Sequence, residues 1–195
     1  MELSNSMTLQ ALMRAFSGET QAWARYAFAE KAAETQGYYA LSRLFHYTAS
    51  QEKEHAELLW RQLRAGGEAR VETPGDYPVD LRTDVLSLLQ EAAEHERQEA
   101  EEIYPAFAKT AGQEGFAPIS ALFRSLADIE RIHGQRFESV ARQLQRGELL
   151  RIGDSAEWLC LYCGHVTNGT EPPAVCPVCA HPMGGFVPME LSPFQ

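Results

Sequence analysis

Two tetrapeptides of this chain have the form Glu-x-x-His: Glu52-Lys53-Glu54-His55 and Glu130-Arg131-Ile132-His133. A spacing of three puts the carboxylate and the imidazole on one face of a helix. In both cases that face is otherwise apolar. Leu41, Leu44, Phe45, Thr48, Leu59 and Leu63 recur at helical spacing with Glu52 and His55 at the centre of their stripe. Ile119, Leu122, Leu126, Phe137, Val140 and Leu144 do the same around Glu130 and His133. Ions placed in a core need compensating charge. Carboxylates and imidazoles together suit iron or manganese better than soft metals.

Further acids fall on inward stripes. Glu19 lies on the edge of a stripe between Phe16 and Trp23, and Glu96 and Glu99 share a face with Val85, Leu88, Ala92 and Ile103. Glu91, Glu94 and Glu101 point away on the same wheel, and Glu102 is marginal. Glu30 is read as a helix-surface residue, and Glu54 and Glu57 as solvated. Height along the helices is an independent test. Glu19, Glu52, His55, Glu96, Glu99, Glu130 and His133 all lie 14–20 residues from the nearest expected turn, at Gly37 or Gln113. That is about 21–30 Å of helix, so the seven fall in one slab. Five buried carboxylates call for cations. Two divalent ions supply four charges and two ferric ions six. A Glu from each of two helices with Glu-x-x-His from each of two others is a known arrangement of carboxylate-bridged dimetal bundles.

Four long helices must position these groups. The periodicity predicts helices over about 6–36, 38–65, 80–111 and 118–146, with Pro105 kinking the third. Short turns at Gly37 and at 112–115 make two antiparallel hairpins. The segment 66–80, with two prolines and three glycines, reads as a linker. Fifteen extended residues span about 50 Å, and a helix of 28 residues is about 42 Å long. The linker therefore reaches across the bundle, which permits a ferritin-like topology with one long crossover as well as a plain up-down bundle. After Gly147 the composition turns rich in Pro, Gly and Cys. The expected units are residues 1–147 and 155–195.

All four cysteines lie in the second unit. Cys160-x-x-Cys163 and Cys176-x-x-Cys179 form two knuckles separated by twelve residues. Such a pair makes a tetrahedral four-sulfur metal site. Spacing alone favours structural zinc and does not separate it from iron. Trp158, Tyr162 and Phe186 are candidates for a small core around it, and His165 and His181 for its surface.

The formal charge is −10, from 27 acidic and 17 basic residues. That argues against a nucleic-acid or anionic-membrane surface as the main partner, since both need a basic footprint. No secretory signal and no spanning segment is visible. The expectation is a soluble, cytoplasmic protein.

The segments GETQAWARY (18–26), EKEHA (52–56), ERQEAEEIYPAFAKTA (96–111), ADIERIH (127–133) and CLYCGHVTNGTEPPAVCPVCAHP (160–182) together resemble the rubrerythrin family, over nearly the whole chain. The resemblance implies an all-α ferritin-like four-helix bundle with one long crossover. It adds a small rubredoxin-like four-cysteine iron domain of short β-hairpins and loops. It implies a di-iron site held by Glu19, Glu52, Glu96, Glu99, Glu130 and His133, with Glu52 and Glu130 bridging. His55 would exchange with Glu99 as one iron moves on redox change. Tyr26 and Tyr104 would hydrogen-bond near the site, and Cys160, Cys163, Cys176 and Cys179 would hold a rubredoxin-type iron. The third helix departs from common family wording at His95 and Arg97. An ideal wheel turns Tyr104 off the stripe. A π-bulge near Pro105 would rotate it inward. The activity implied is reduction of hydrogen peroxide, with electrons relayed through the four-cysteine iron. The donor would be a protein such as rubredoxin or an NAD(P)H-dependent reductase, and the assembly a homodimer. Two other classes stand beside it: a ferroxidase or iron-binding bundle with a structural zinc ribbon, and an interaction protein whose zinc ribbon is the functional end.

Overall fold

A computed structural model describes residues 2–67, 70–153 and 155–191. Residue 1 and residues 192–195, the outer limits of the two expected units, and linker residues 68–69 lie outside them. Helix α1 spans Met7–Thr35, α2 Tyr39–Ala65, α3 Val85–Gln98, α4 Tyr104–Gln113 and α5 Ala117–Arg146. A π-helical turn, Glu99–Ile103, joins α3 to α4. The third expected helix is thus one rod in three parts. Three short strands follow: β1 Ala156–Cys160, β2 Val166–Gly169 and β3 Phe186–Pro188. They form one antiparallel sheet in the order β2-β1-β3.

Local chemistry sets the helix limits. The Ser6 hydroxyl accepts from the Leu9 amide and starts α1. The Glu114 carboxylate accepts from the Met7 and Thr8 amides at 2.9 and 2.8 Å, tying the end of α4 to the positive end of α1. Gly37, at φ 82°, and Gly147, at φ 68°, end α1 and α5 in the left-handed region that favours glycine. The start expected at Asp80 is corrected to Val85. The Asp84 side chain accepts from the Ser87 amide and caps α3 there. Residues 80–84 therefore belong to the linker.

That linker crosses the bundle. It leaves α2 at Gly66, where a Cβ would lie 3.2 Å from Leu3 and 3.3 Å from Leu9, beside the start of α1. It then runs along α1. Tyr77 bonds the Arg14 carbonyl, Gln21 the Pro78 carbonyl, and Gln36 the Thr83 carbonyl. The topology is the ferritin-like bundle with one long crossover.

The apolar core is in two parts. One gathers Ala22, Tyr26, Ala29, Ala33, Phe45, Leu89 and Phe137; the other gathers Leu12, Ala15, Leu59, Tyr104, Phe123 and Leu126. Between them lies a polar layer. Along α1 it is Glu19, between Ala15 and Ala22; along α5 it is Glu130 and His133, between Ala127 and Phe137. Trp23, expected on the stripe, is 41 % exposed instead, and Glu19 sits at the centre of the buried face rather than its edge. The buried face of α1 is built from alanines. Small side chains leave room for a carboxylate layer, and a tryptophan would fill it.

Candidate metal centres

Four helices bring the buried acids to one level. Glu19, Glu52, Glu96 and Glu130 are each at most 1 % exposed, and His55 and His133 are also buried. Their ligand atoms form two groups, each within 4.8 Å: Glu19, Glu52, His55 and Glu130, and Glu52, Glu96, Glu130 and His133. Glu52 and Glu130 belong to both. His55 Nδ1 lies 3.1 Å from Glu52 Oε2, 3.2 Å from Glu130 Oε1 and 3.4 Å from Glu19 Oε2. His133 Nδ1 lies 2.9 Å from Glu52 Oε1, 2.9 Å from Glu130 Oε2 and 3.6 Å from Glu96 Oε2. The arrangement is two triangles of carboxylate oxygens, each closed by an imidazole.

Hydrogen bonding leaves these atoms unfinished. Glu19 Oε2, Glu52 Oε1, Glu96 Oε2, both Glu130 oxygens and His133 Nδ1 are buried without a hydrogen-bond partner. Orphaned acceptors facing one another fit a pair of cations. The electrostatics of the layer point the same way. Burial, then the charge of Glu130, pushes Glu19 well above the carboxylate range; burial, then Glu52, does the same to Glu96. Burial also raises Glu52, but the facing imidazoles of His133 and His55 outweigh it and hold it at about 2. Burial lowers His133, yet the facing carboxylates of Glu130, Glu52 and Glu96 raise it to about 11.

Glu99 is placed differently. It stands at the start of the π-turn with Oε1 facing Gly18, where a Cβ would be 3.8 Å away, and it is in neither ligand group. Burial, then Glu130, raises its carboxyl to about 8. His55, not Glu99, closes the first group.

Both tyrosines reach the layer. Tyr26 donates to Glu96 Oε1 and Tyr104 to Glu19 Oε1. The π-turn immediately before Tyr104 inserts the extra residue that brings that side chain, 2 % exposed, inward. Pro105 then falls in the first turn of α4.

Three supporting groups were not legible as such. Gln51 Oε1 lies 3.2 Å from His133 Nε2 and orients that ring. Arg25 packs against Tyr26. Gly134 permits α5 to approach α3, since a Cβ there would be 3.3 Å from Glu96 Cβ and 3.4 Å from the Ala93 carbonyl. Gly134→Ala is expected to displace Glu96 and weaken metal binding by about 10–100-fold, while costing the metal-free fold about 1–3 kcal/mol. Chelator competition and thermal melts measure the two effects.

In the small module Cys160 and Cys179 Sγ are 3.7 Å apart, as are those of Cys163 and Cys176, and all four lie within 4.8 Å. A tetrahedron with metal–sulfur bonds of ~2.3 Å has edges of about that length. The knuckles repeat one hydrogen-bond pattern: Cys160 N to His165 O and Gly164 N to Cys160 O, then Cys176 N to His181 O and Ala180 N to Cys176 O. Trp158 and Phe186 pack with Cys160 and Cys176 in a buried cluster, as expected, whereas Tyr162 is 38 % exposed. The module rests on the α1–α2 turn. The Tyr162 ring meets Tyr39 edge-on at 5.9 Å, Arg43 lies 5.1 Å over it, and a Cβ at Gly184 would overlap the Gly37 carbonyl. Among the described residues no helix is long and apolar enough to cross a membrane.

Comparison with known proteins agrees with this geometry. The Rubrerythrin family profile matches residues 10–141, and that of the rubrerythrin rubredoxin-like domain matches residues 158–187. Rubrerythrin of Clostridium perfringens is 39 % identical over 94 % of this chain and 95 % of its own length. Rubrerythrin of Nitratidesulfovibrio vulgaris is 36 % identical over the same shares. Among solved structures, fully reduced, all-ferrous nigerythrin superposes with a TM-score of 0.63 at 31 % identity, covering 93 % of this chain and 86 % of its own. A Desulfovibrio desulfuricans bacterioferritin, at 20 % identity and TM-score 0.65, covers 73 % of this chain and 82 % of its own and shares the bundle fold. The chain belongs to the rubrerythrin family, with a di-iron carboxylate site in its ferritin-like bundle and a rubredoxin-like four-cysteine site at its C-terminal end.

Proposed function

We propose that this chain reduces hydrogen peroxide to water at the carboxylate-bridged metal pair, in protection against oxidative stress. The observation that carries the reading is the pair of ligand groups sharing Glu52 and Glu130. Glu19 and His55 would complete one metal position, and Glu96 and His133 the other, with Glu99 exchanging for His55 when the metal charge changes. When bound, the iron pair supplies two electrons and a double Lewis acid for the O–O bond, refilled through the four-cysteine iron.

The chain's own residues govern protons and access. Reduction of one peroxide to two waters consumes two protons. Tyr26 and Tyr104 hold phenolic protons against Glu96 and Glu19, at the two ends of the layer. Burial, then the Glu96 charge, raises Tyr26 well above its ordinary value, so the phenol keeps its proton and orients Glu96 as a hydrogen-bond donor. Apolar clusters on both sides exclude bulk water.

The division into a 1–147 bundle and a 155–195 module, each with its own metal, belongs to this proposal. Tyr39 touches the module and Glu52 lies thirteen residues further along α2, about 20 Å away. Tunnelling falls off exponentially with distance, so we take the acceptor of each module to be the bundle of a second copy, in a cytoplasmic homodimer. The donor to the module would be a rubredoxin or an NAD(P)H-dependent reductase.

The test is anaerobic reduction followed by mixing with peroxide or with air. Ferric tetrathiolate is red, and its colour is expected to return rapidly with peroxide and slowly with air. Fast reoxidation by air with growth of an iron core, over a colourless zinc-filled module, would establish the ferroxidase reading instead.

A further inference from the structure

Beside the metal layer lies a second buried polar cluster. Arg25 is 9 % exposed and directly precedes Tyr26. Its Nη1 meets His95 Nδ1 on α3 and lies 3.6 Å from Asp80 Oδ1 in the crossover. His95 Nδ1 is 3.7 Å from the same oxygen. Helix α3 and the crossover thus converge on one guanidinium of α1. Its carbon lies 5.8 Å from the centroid of the Tyr26 ring, whose hydroxyl bonds Glu96. Arg25 Nε, Asp80 Oδ1 and Gln21 Oε1 are buried there without a hydrogen-bond partner. The guanidinium is therefore desolvated and only partly neutralised, and Asp80 and His95 fix where it stands.

A fixed cation in a dry environment acts at longer range than one in water. Five carboxylates around a diferrous pair leave one net negative charge, and around a diferric pair one net positive charge. A nearby cation therefore stabilises the reduced state relative to the oxidised one. We propose that Arg25 is a positioning residue of the metal centre, a charge anchored by the crossover that biases the pair toward its reduced form.

The inference rests on the metal pair being redox-active, and not on peroxide being its oxidant. The experiment is a redox titration of the iron-loaded full chain, with iron content measured for each variant. Arg25→Gln is expected to shift the equilibrium at least tenfold toward the diferric state, about 30 mV for a two-electron couple. Arg25→Lys is expected to stay within about threefold of the parent. Asp80→Asn, which removes the opposing charge, is expected to shift the potential upward. An unchanged midpoint in fully loaded Arg25→Gln, or an equal fall in Arg25→Lys, overturns the proposal. If Arg25→Gln fails to fold or load, Asp80→Asn decides: a midpoint at or below the parent's overturns it. A pair that cycles normally without consuming peroxide would sink the proposed function and leave this test intact.

Discussion

Replacing Glu130 by alanine is expected to empty the bundle of both metals while the cysteine centre stays filled. Iron per chain, by metal analysis, should fall from about three to about one. Peroxide reduction should drop by more than about 100-fold, since loss of an outer hydrogen-bond partner alone costs about 10–100-fold. The size of the effect follows from where Glu130 stands. Both its oxygens are buried without hydrogen-bond partners, and they face His55 at 3.2 Å and His133 at 2.9 Å. One side chain thus serves both ligand groups. Its removal also leaves the two imidazoles with one fewer anion each. Glu30→Ala is the comparison. Glu30 pairs with the exposed His46 at 3.1 Å on the bundle surface, and its loss is expected to leave iron content and rate unchanged. Retention of two irons by the Glu130 variant would remove the bridging role.

Much of this site was legible because a helix turns charge spacing into geometry. Glu52, His55, Glu130 and His133 fall inside apolar stripes, and counting residues from the turns puts them at one height. The same wheel misplaced Trp23. It ranks by hydrophobicity, while the bundle selected the alanine face of α1 to leave space for Glu19. Tyr104 is legible only if the helix is irregular, and the π-turn at Glu99–Ile103 supplies that irregularity. The start of α3 lies at Val85 rather than Asp80 because the observed cap is Asp84. Asp80 turns to Arg25 and His95 instead. Gln51, Arg25 and Gly134 matter through partners 70 or more residues away, or through a backbone contact that only packing creates. No periodicity in the chain encodes such pairings.

The second large effect is a reversal of pH dependence on metal loading. In the metal-free chain, Glu19 and Glu96 titrate well above ordinary carboxylates and Glu99 at about 8, because burial and one another's charge disfavour ionisation. His133 at about 11 and His55, also raised, hold protons because the facing carboxylates outweigh their burial. Each of these groups binds more proton folded than unfolded between its unfolded and folded values. Stability of the metal-free chain therefore falls as pH rises from about 5 to 8, by up to about 1.4 kcal/mol per pH unit per titrating group. Glu52, held at about 2 by the facing imidazoles despite burial, acts oppositely, and its contribution is lost as pH falls from about 4.5 to 2. The optimum should lie near pH 5. Metal binding needs neutral imidazoles and ionised carboxylates, so it releases those protons and tightens as pH rises. The loaded chain should accordingly gain stability over the range in which the metal-free chain loses it. Thermal melts of both forms from pH 5 to 8 measure the two slopes. Slopes of the same sign would mean that the buried carboxylates do not exchange protons for metal.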